Sequence, residues 1–67
     1  MSVTKEQIAV LDAGLRMLQE APLNWNTIEP PVRTIIVTTY GQLDSRTLGR
    51  KIVTDAITKT GYFAESA

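Results

Sequence analysis

Pro30-Pro31-Val32-Arg33-Thr34-Ile35-Ile36-Val37-Thr38-Thr39-Tyr40-Gly41 is the stretch on which the fold turns, because its composition and its punctuation disagree. From Thr34 to Tyr40 every residue is β-branched or aromatic, the composition that strands favour. The boundaries speak for a helix instead. A proline pair suits a helix start, where the missing N–H groups would be unpaired anyway, and Gly41 suits a helix end. Val32, Ile35, Ile36 and Tyr40 also recur at helical spacing. A strand here finds no partner beyond the short Tyr62-Phe63-Ala64 stretch, so it would have to pair with another copy of the chain as an intermolecular two-stranded ribbon, giving an α+β helix–strand–helix chain. A helix completes an all-α, three-helix domain. The second reading is preferred because propensity is a weak guide beside boundary signals, although Arg33 then falls inside the apolar arc.

The flanking segments share one grammar. Thr4 and Gln7 stand three apart as a capping box, with Val3 and Ile8 at the positions of a hydrophobic staple, and Pro22 stops the helix they open. On a helical wheel Ile8, Leu11, Leu15 and Leu18 form one stripe, which Val10, Ala13, Gly14 and Met17 widen on one side. The arc exceeds half the circumference, more than a single neighbour covers. Either two elements of the same chain sandwich this helix, or part of the arc is the seam of a dimer. In the third segment Asp44 is the expected N-cap, Leu43 and Leu48 the staple, and Gly61 the left-handed C-terminal cap. Leu48, Gly49, Ile52, Val53, Ala56 and Ile57 form its apolar face. Helices are therefore expected near residues 5–20 and 45–60, with Leu15 and Ile52 in the core and an ordered loop over Ala21–Glu29.

At 67 residues the chain has room for one domain, residues 1–67, and chains of this size bury a modest share of their surface. Such domains usually need a staple. With no cysteine and no histidine, a disulfide is impossible and a zinc, copper or iron–sulfur site is not expected. No calcium-loop pattern occurs, and no metal or other cofactor is expected. Self-association is the remaining staple. Seven Lys/Arg balance seven Asp/Glu, so no global field attracts nucleic acid or an anionic membrane. No apolar run is long enough to span a bilayer and the N-terminus lacks a signal-peptide core. A cytoplasmic protein without membrane contact is expected.

Catalysis through the commonest general base or a cysteine nucleophile is excluded by composition. Ser45 is accounted for by its place at a helix start, and the carboxylates Glu6, Asp12, Glu20, Glu29, Asp44, Asp55 and Glu65 do not pair at helical spacing. The glycines are isolated, so no phosphate-cradling loop is present. The stretch Tyr40-Gly41-Gln42-Leu43-Asp44-Ser45-Arg46-Thr47-Leu48-Gly49-Arg50-Lys51-Ile52 resembles winged-helix and helix-turn-helix domains, in which one helix ends at Tyr-Gly and Leu-x-Ser-Arg-x-Leu opens the next. The resemblance implies a small DNA-binding regulator with a separate recognition helix further on, for which only Asp55 to Thr60 is left.

The expectation drawn from these readings is a non-enzymatic protein-interaction module that self-associates as a homo-oligomer and acts on another protein as a small adaptor or inhibitor. A DNA-binding regulator of helix-turn-helix type is the alternative. Arg46, Arg50 and Lys51, joined by Arg33, are the candidate contacts to a phosphate or an acidic partner. Trp25, Val10, Met17, Ile35, Val37 and Tyr40 are the candidate interface residues.

Overall fold

The computed structural model describes residues 4–20 and 22–64. The chain is an all-α, three-helix domain: α1 Lys5–Gln19, α2 Pro30–Tyr40 and α3 Ser45–Thr58, with short 3-10 turns at Trp25–Thr27 and Gly61–Phe63. No strand occurs among the described residues, so the ribbon alternative is overturned. The β-branched run 34–40 is helical because its boundaries and its burial pattern override its propensity. Pro30 and Pro31 occupy the first two helical positions. Ile36 is fully buried, with Val32, Ile35 and Tyr40 packed around the core. Gly41 ends the helix at φ 91°, ψ −177°, a conformation that only glycine adopts without strain.

The two outer helices start as their sequences dictate. The Thr4 hydroxyl accepts from the Gln7 amide while the Gln7 side chain accepts from the Thr4 amide, at 3.0 and 3.1 Å. Asp44 Oδ1 accepts from the Thr47 amide at 2.7 Å. The staple expected of Val3 lies outside the described residues, and its partner Ile8 is exposed. The C-terminal cap of α3 differs from expectation: Lys59, not Gly61, takes the left-handed conformation directly after the helix (φ 56°, ψ 48°). The Lys59 and Thr60 amides both donate to the Asp55 carbonyl. Gly61, also at positive φ, opens the 3-10 turn that follows.

α1 packs chiefly along α3 and more lightly against α2. Two glycines set the close approach. A Cβ at Gly14 would stand 2.6 Å from Ile52 Cγ2, and one at Gly49 would stand 2.8 Å from the Gly14 carbonyl oxygen and 3.0 Å from Met17 Cβ. Residue 14 thus faces 52 while 17 and 18 face 49, so the helices run antiparallel. The core consists of Val10, Ala13, Met17, Leu23, Ile28, Ile36, Leu48 and Ile52. Leu15, expected there, is exposed, because the glycine crossing draws in the half of the α1 arc that contains Gly14. The same turn of phase buries Val10 and Met17 completely, so neither is available to a partner.

The loop contributes more than a connection. Leu23 and Ile28 enter the core from either side of the Trp25–Thr27 turn. Arg16 clamps that turn to α1, donating to Thr27 Oγ1 at 2.8 Å and to the Thr27 carbonyl at 3.3 Å. At the other end, Tyr62 OH donates to Glu6 at 2.7 Å and Gln7 Nε2 donates to the Tyr62 carbonyl at 3.2 Å, holding the last turn against the start of α1.

Candidate functional site

Two surfaces stand out, and α3 shapes both. The first is a groove of about 530 Å³ between the loop and the first two turns of α3, lined by Pro22, Trp25, Leu43, Asp44, Ser45, Arg46, Thr47 and Arg50. The groove brings together Trp25 and the Arg46/Arg50 pair, which the sequence separates by some twenty positions. Trp25 is half-buried where the Asn24 side chain caps the 3-10 turn by accepting from the Asn26 amide. Arg46 and Arg50 follow one another at i,i+4 on adjacent turns, which stacks their side chains on one face.

The electrostatics of the groove are local. The Asp44 carboxyl lies below the usual carboxylate range, first because of the hydrogen bond from the Thr47 amide and further because Arg46 and Arg50 are near. Neither guanidinium makes a hydrogen bond or a salt bridge among the described residues; the salt bridge found among those residues, Arg16–Glu20 at 3.4 Å, belongs to the end of α1 and lies outside the groove lining. Lys51 is exposed on α3 but turns away from the groove lining, and Arg33 is half-buried on α2, so the expected basic cluster divides into a pair and two separate cations.

The second surface is apolar. On α1, Ile8, Leu15 and Leu18 are exposed and Leu11 is half-buried, at spacings that set them on one side of the helix. Leu18 lies against Gly49 of α3, where a Cβ would stand 3.1 Å from Leu18 Cγ. One and two turns beyond Gly49, on its own side, come Val53, half-buried, and Ile57, 76% exposed. The two rows therefore flank each other as one apolar strip, with Arg46 and Arg50 along its α3 edge. Of the remaining candidate interface residues, Val37 is exposed on α2, while Ile35 and Tyr40 are half-buried against the core.

Sequence reasoning missed Leu43 and Pro22 as part of the groove lining, and Ile57 as the most exposed large apolar side chain among the described residues. Leu43 was legible as the residue before an N-cap, a place that leaves a side chain at the helix mouth. No signal in the sequence marked Pro22 beyond its helix-stopping role.

Among the described residues no group of His, Cys, Asp and Glu gathers to hold a metal ion. None of their helices is long and apolar enough to cross a membrane. The α3 helix runs unbroken through Asp55 to Thr58, so the segment left for a separate recognition helix is the last turn of α3 and its exit. No protein family, curated protein or solved structure matches the chain.

Proposed function

We propose that the chain is a non-enzymatic protein-interaction module that associates with a second copy of itself through the outer side of the α1/α3 pair and acts as a small adaptor or inhibitor of a larger protein. The observation that carries this reading is the apolar strip of Ile8, Leu11, Leu15, Leu18, Val53 and Ile57, which no element among the described residues covers fully. Contiguous apolar surface rimmed by polar residues is a mark of an interaction site. A core of eight side chains among the described residues leaves so short a chain thinly stabilised, and burying the strip against its own copy in a two-fold dimer adds burial with one repeated contact. Sedimentation equilibrium over a hundredfold range of concentration tests it. The expected result is a dimer that Leu15→Lys with Ile57→Lys converts to a folded monomer; a 7.4 kDa monomer at every concentration, with a melting temperature indifferent to concentration, overturns it.

One observation favours a second reading. The solvent face of α3 carries Arg46, Thr47, Arg50, Lys51, Thr54 and Thr58, all exposed, together with Ile57 and with the half-buried Asp55 at its edge, and the helix follows α2 after the short connection 41–44. One helix fits a DNA major groove, and arginine and threonine are residues that read base edges there. In this reading the chain is a DNA-binding regulator. Electrophoretic mobility shift at two salt concentrations tests it, since binding through phosphate neutralisation weakens as salt rises; no shift at low salt removes it.

A further inference from the structure

We infer that the groove between Trp25 and the start of α3 is the partner-binding site of this module, and that its occupant is an acidic protein segment in which a bulky apolar side chain stands beside carboxylates. The inference rests on the interaction-module reading and names the chemistry of the partner. Part of the groove lining is apolar: Trp25, Pro22 and Leu43, the last 40% exposed beside a helix whose next apolar residue, Leu48, is fully buried. Another part is cationic, with Arg46 and Arg50 on successive turns of α3 and neither engaged by a hydrogen bond or salt bridge among the described residues.

An apolar side chain laid against Trp25 removes water from the apolar part of the lining, and carboxylates beside it then meet two planar guanidiniums, each able to take one bidentately. Tryptophan and arginine are also the residue types that concentrate binding energy at interfaces. The fixed acid in the groove, Asp44, is occupied by the Thr47 amide and leaves the lining with a net charge of one positive unit. A weakly positive, partly apolar cleft suits a mixed acidic–apolar peptide better than a phosphate backbone, which has no apolar group to lay against Pro22, Trp25 and Leu43; Asp44 repels both kinds of anion and does not decide between them.

Trp25 is the chain's one tryptophan, so its fluorescence reports on the groove without labelling. The probe is the acetylated, amidated peptide Glu-Glu-Leu-Phe-Glu-Glu, and its control replaces every Glu by Lys. The full chain at fixed concentration is expected to show a saturable change with the acidic probe and affinity weaker by about tenfold or more for the control. Arg46→Ala with Arg50→Ala is expected to lose the acidic probe by a similar factor while the circular dichroism stays that of the parent, since both side chains are exposed. Arg46→Glu with Arg50→Glu is expected to exchange the preference, taking the lysine peptide over the acidic one. Equal response to both peptides, no saturable response, or a random-sequence DNA duplex that binds through the same arginines where the peptide does not, overturns the assignment. Sedimentation of the same variants separates the two claims: a dimer that ignores the acidic probe sinks the groove alone, whereas a monomer that binds it supports the groove and sinks self-association.

Discussion

Placing a methyl group at the α1/α3 crossing sets two known effects against each other, and the structure decides which one wins. Gly49→Ala adds a good helix former inside α3, worth about 0.8–1 kcal/mol in an unhindered helix. The added Cβ would stand 2.8 Å from the Gly14 carbonyl oxygen, 3.0 Å from Met17 Cβ and 3.1 Å from Leu18 Cγ. The nearest of these is backbone and has no rotamer to swing away, so relief requires α3 to back off from α1 by a few tenths of an ångström. That withdrawal loosens Leu48 and Ile52, both buried against the same neighbour. Overpacking of this kind costs about 1–3 kcal/mol. The balance is a net loss of about 1 kcal/mol, with an upper bound near 2, which lowers the melting temperature by about 4–8 °C per kcal/mol in a domain of this size. Urea denaturation followed by circular dichroism, at one protein concentration for parent and variant, measures it. Gly14→Ala acts on the same gap, with Ile52 Cγ2 and Cβ at 2.6 and 2.9 Å from the new atom. The double variant is expected to cost less than the sum of the singles, because one separation of the helices relieves both. A Gly49→Ala midpoint equal to or above that of the parent would show that the helices do not meet as closely as the antiparallel crossing requires.

Ile52→Ala is expected to cost about 2–5 kcal/mol from a fully buried site, whereas Leu15→Ala leaves the folded monomer nearly unchanged and weakens the dimer; denaturation and sedimentation on both variants check the contrast. The Tyr40 hydroxyl is buried without a well-formed hydrogen bond, the Asp55 carboxylate being the acceptor near it, so Tyr40→Phe is expected to be neutral or stabilising by about 1 kcal/mol in urea denaturation, where a loss would show that the Tyr40–Asp55 approach is a working hydrogen bond. Burial pushes the Tyr62 phenol up to about 12, helped by its hydrogen bond to Glu6, and burial followed by the nearby Asp55 charge pushes Tyr40 higher still. Both phenols sit above their unfolded value of about 10. Their contribution to stability is thus complete below pH ~10 and is lost as pH rises through the folded values, which stability curves across the alkaline range will test, with Tyr62→Phe expected to soften the decline.

Helix starts were the most legible part of the molecule. Thr4 and Asp44 cap through short, local hydrogen bonds written within four residues of sequence, and no tertiary contact is needed to form them. The middle helix was legible from Pro30, Pro31 and Gly41 rather than from its interior, since a β-branched run reads as strand until its missing partner is noticed. The loop was less legible. Leu23 and Ile28 belong to the core because Arg16 ties the turn between them to α1, a contact across eleven positions that no local pattern announces. The exit from α3 was misplaced for a related reason: the helix gives way at Thr58, three residues before Gly61, and Lys59 accepts the left-handed conformation that glycine would have taken more cheaply.

The phase of α1 joins the fold to the proposed function. Its apolar arc is wide enough to offer two cores, one with the larger side chains Ile8, Leu11, Leu15 and Leu18, the other with Val10, Ala13, Gly14 and Met17. Side-chain size favours the first, and a wheel alone cannot reject it. Gly14 does, because a helix lacking a Cβ at one point can approach a neighbour there more closely than anywhere else, and α3 carries its own glycine at the matching height. Once that crossing forms, the smaller side chains turn inward and the larger ones are carried round to the flank, beside Val53 and Ile57. The exposed strip is accordingly a geometric consequence of close packing between α1 and α3. The same crossing fixes the direction of α3, whose first turns bring Arg46 and Arg50 into the groove that Trp25 also lines, so a change that separates the helices is expected to disturb the strip and the groove together.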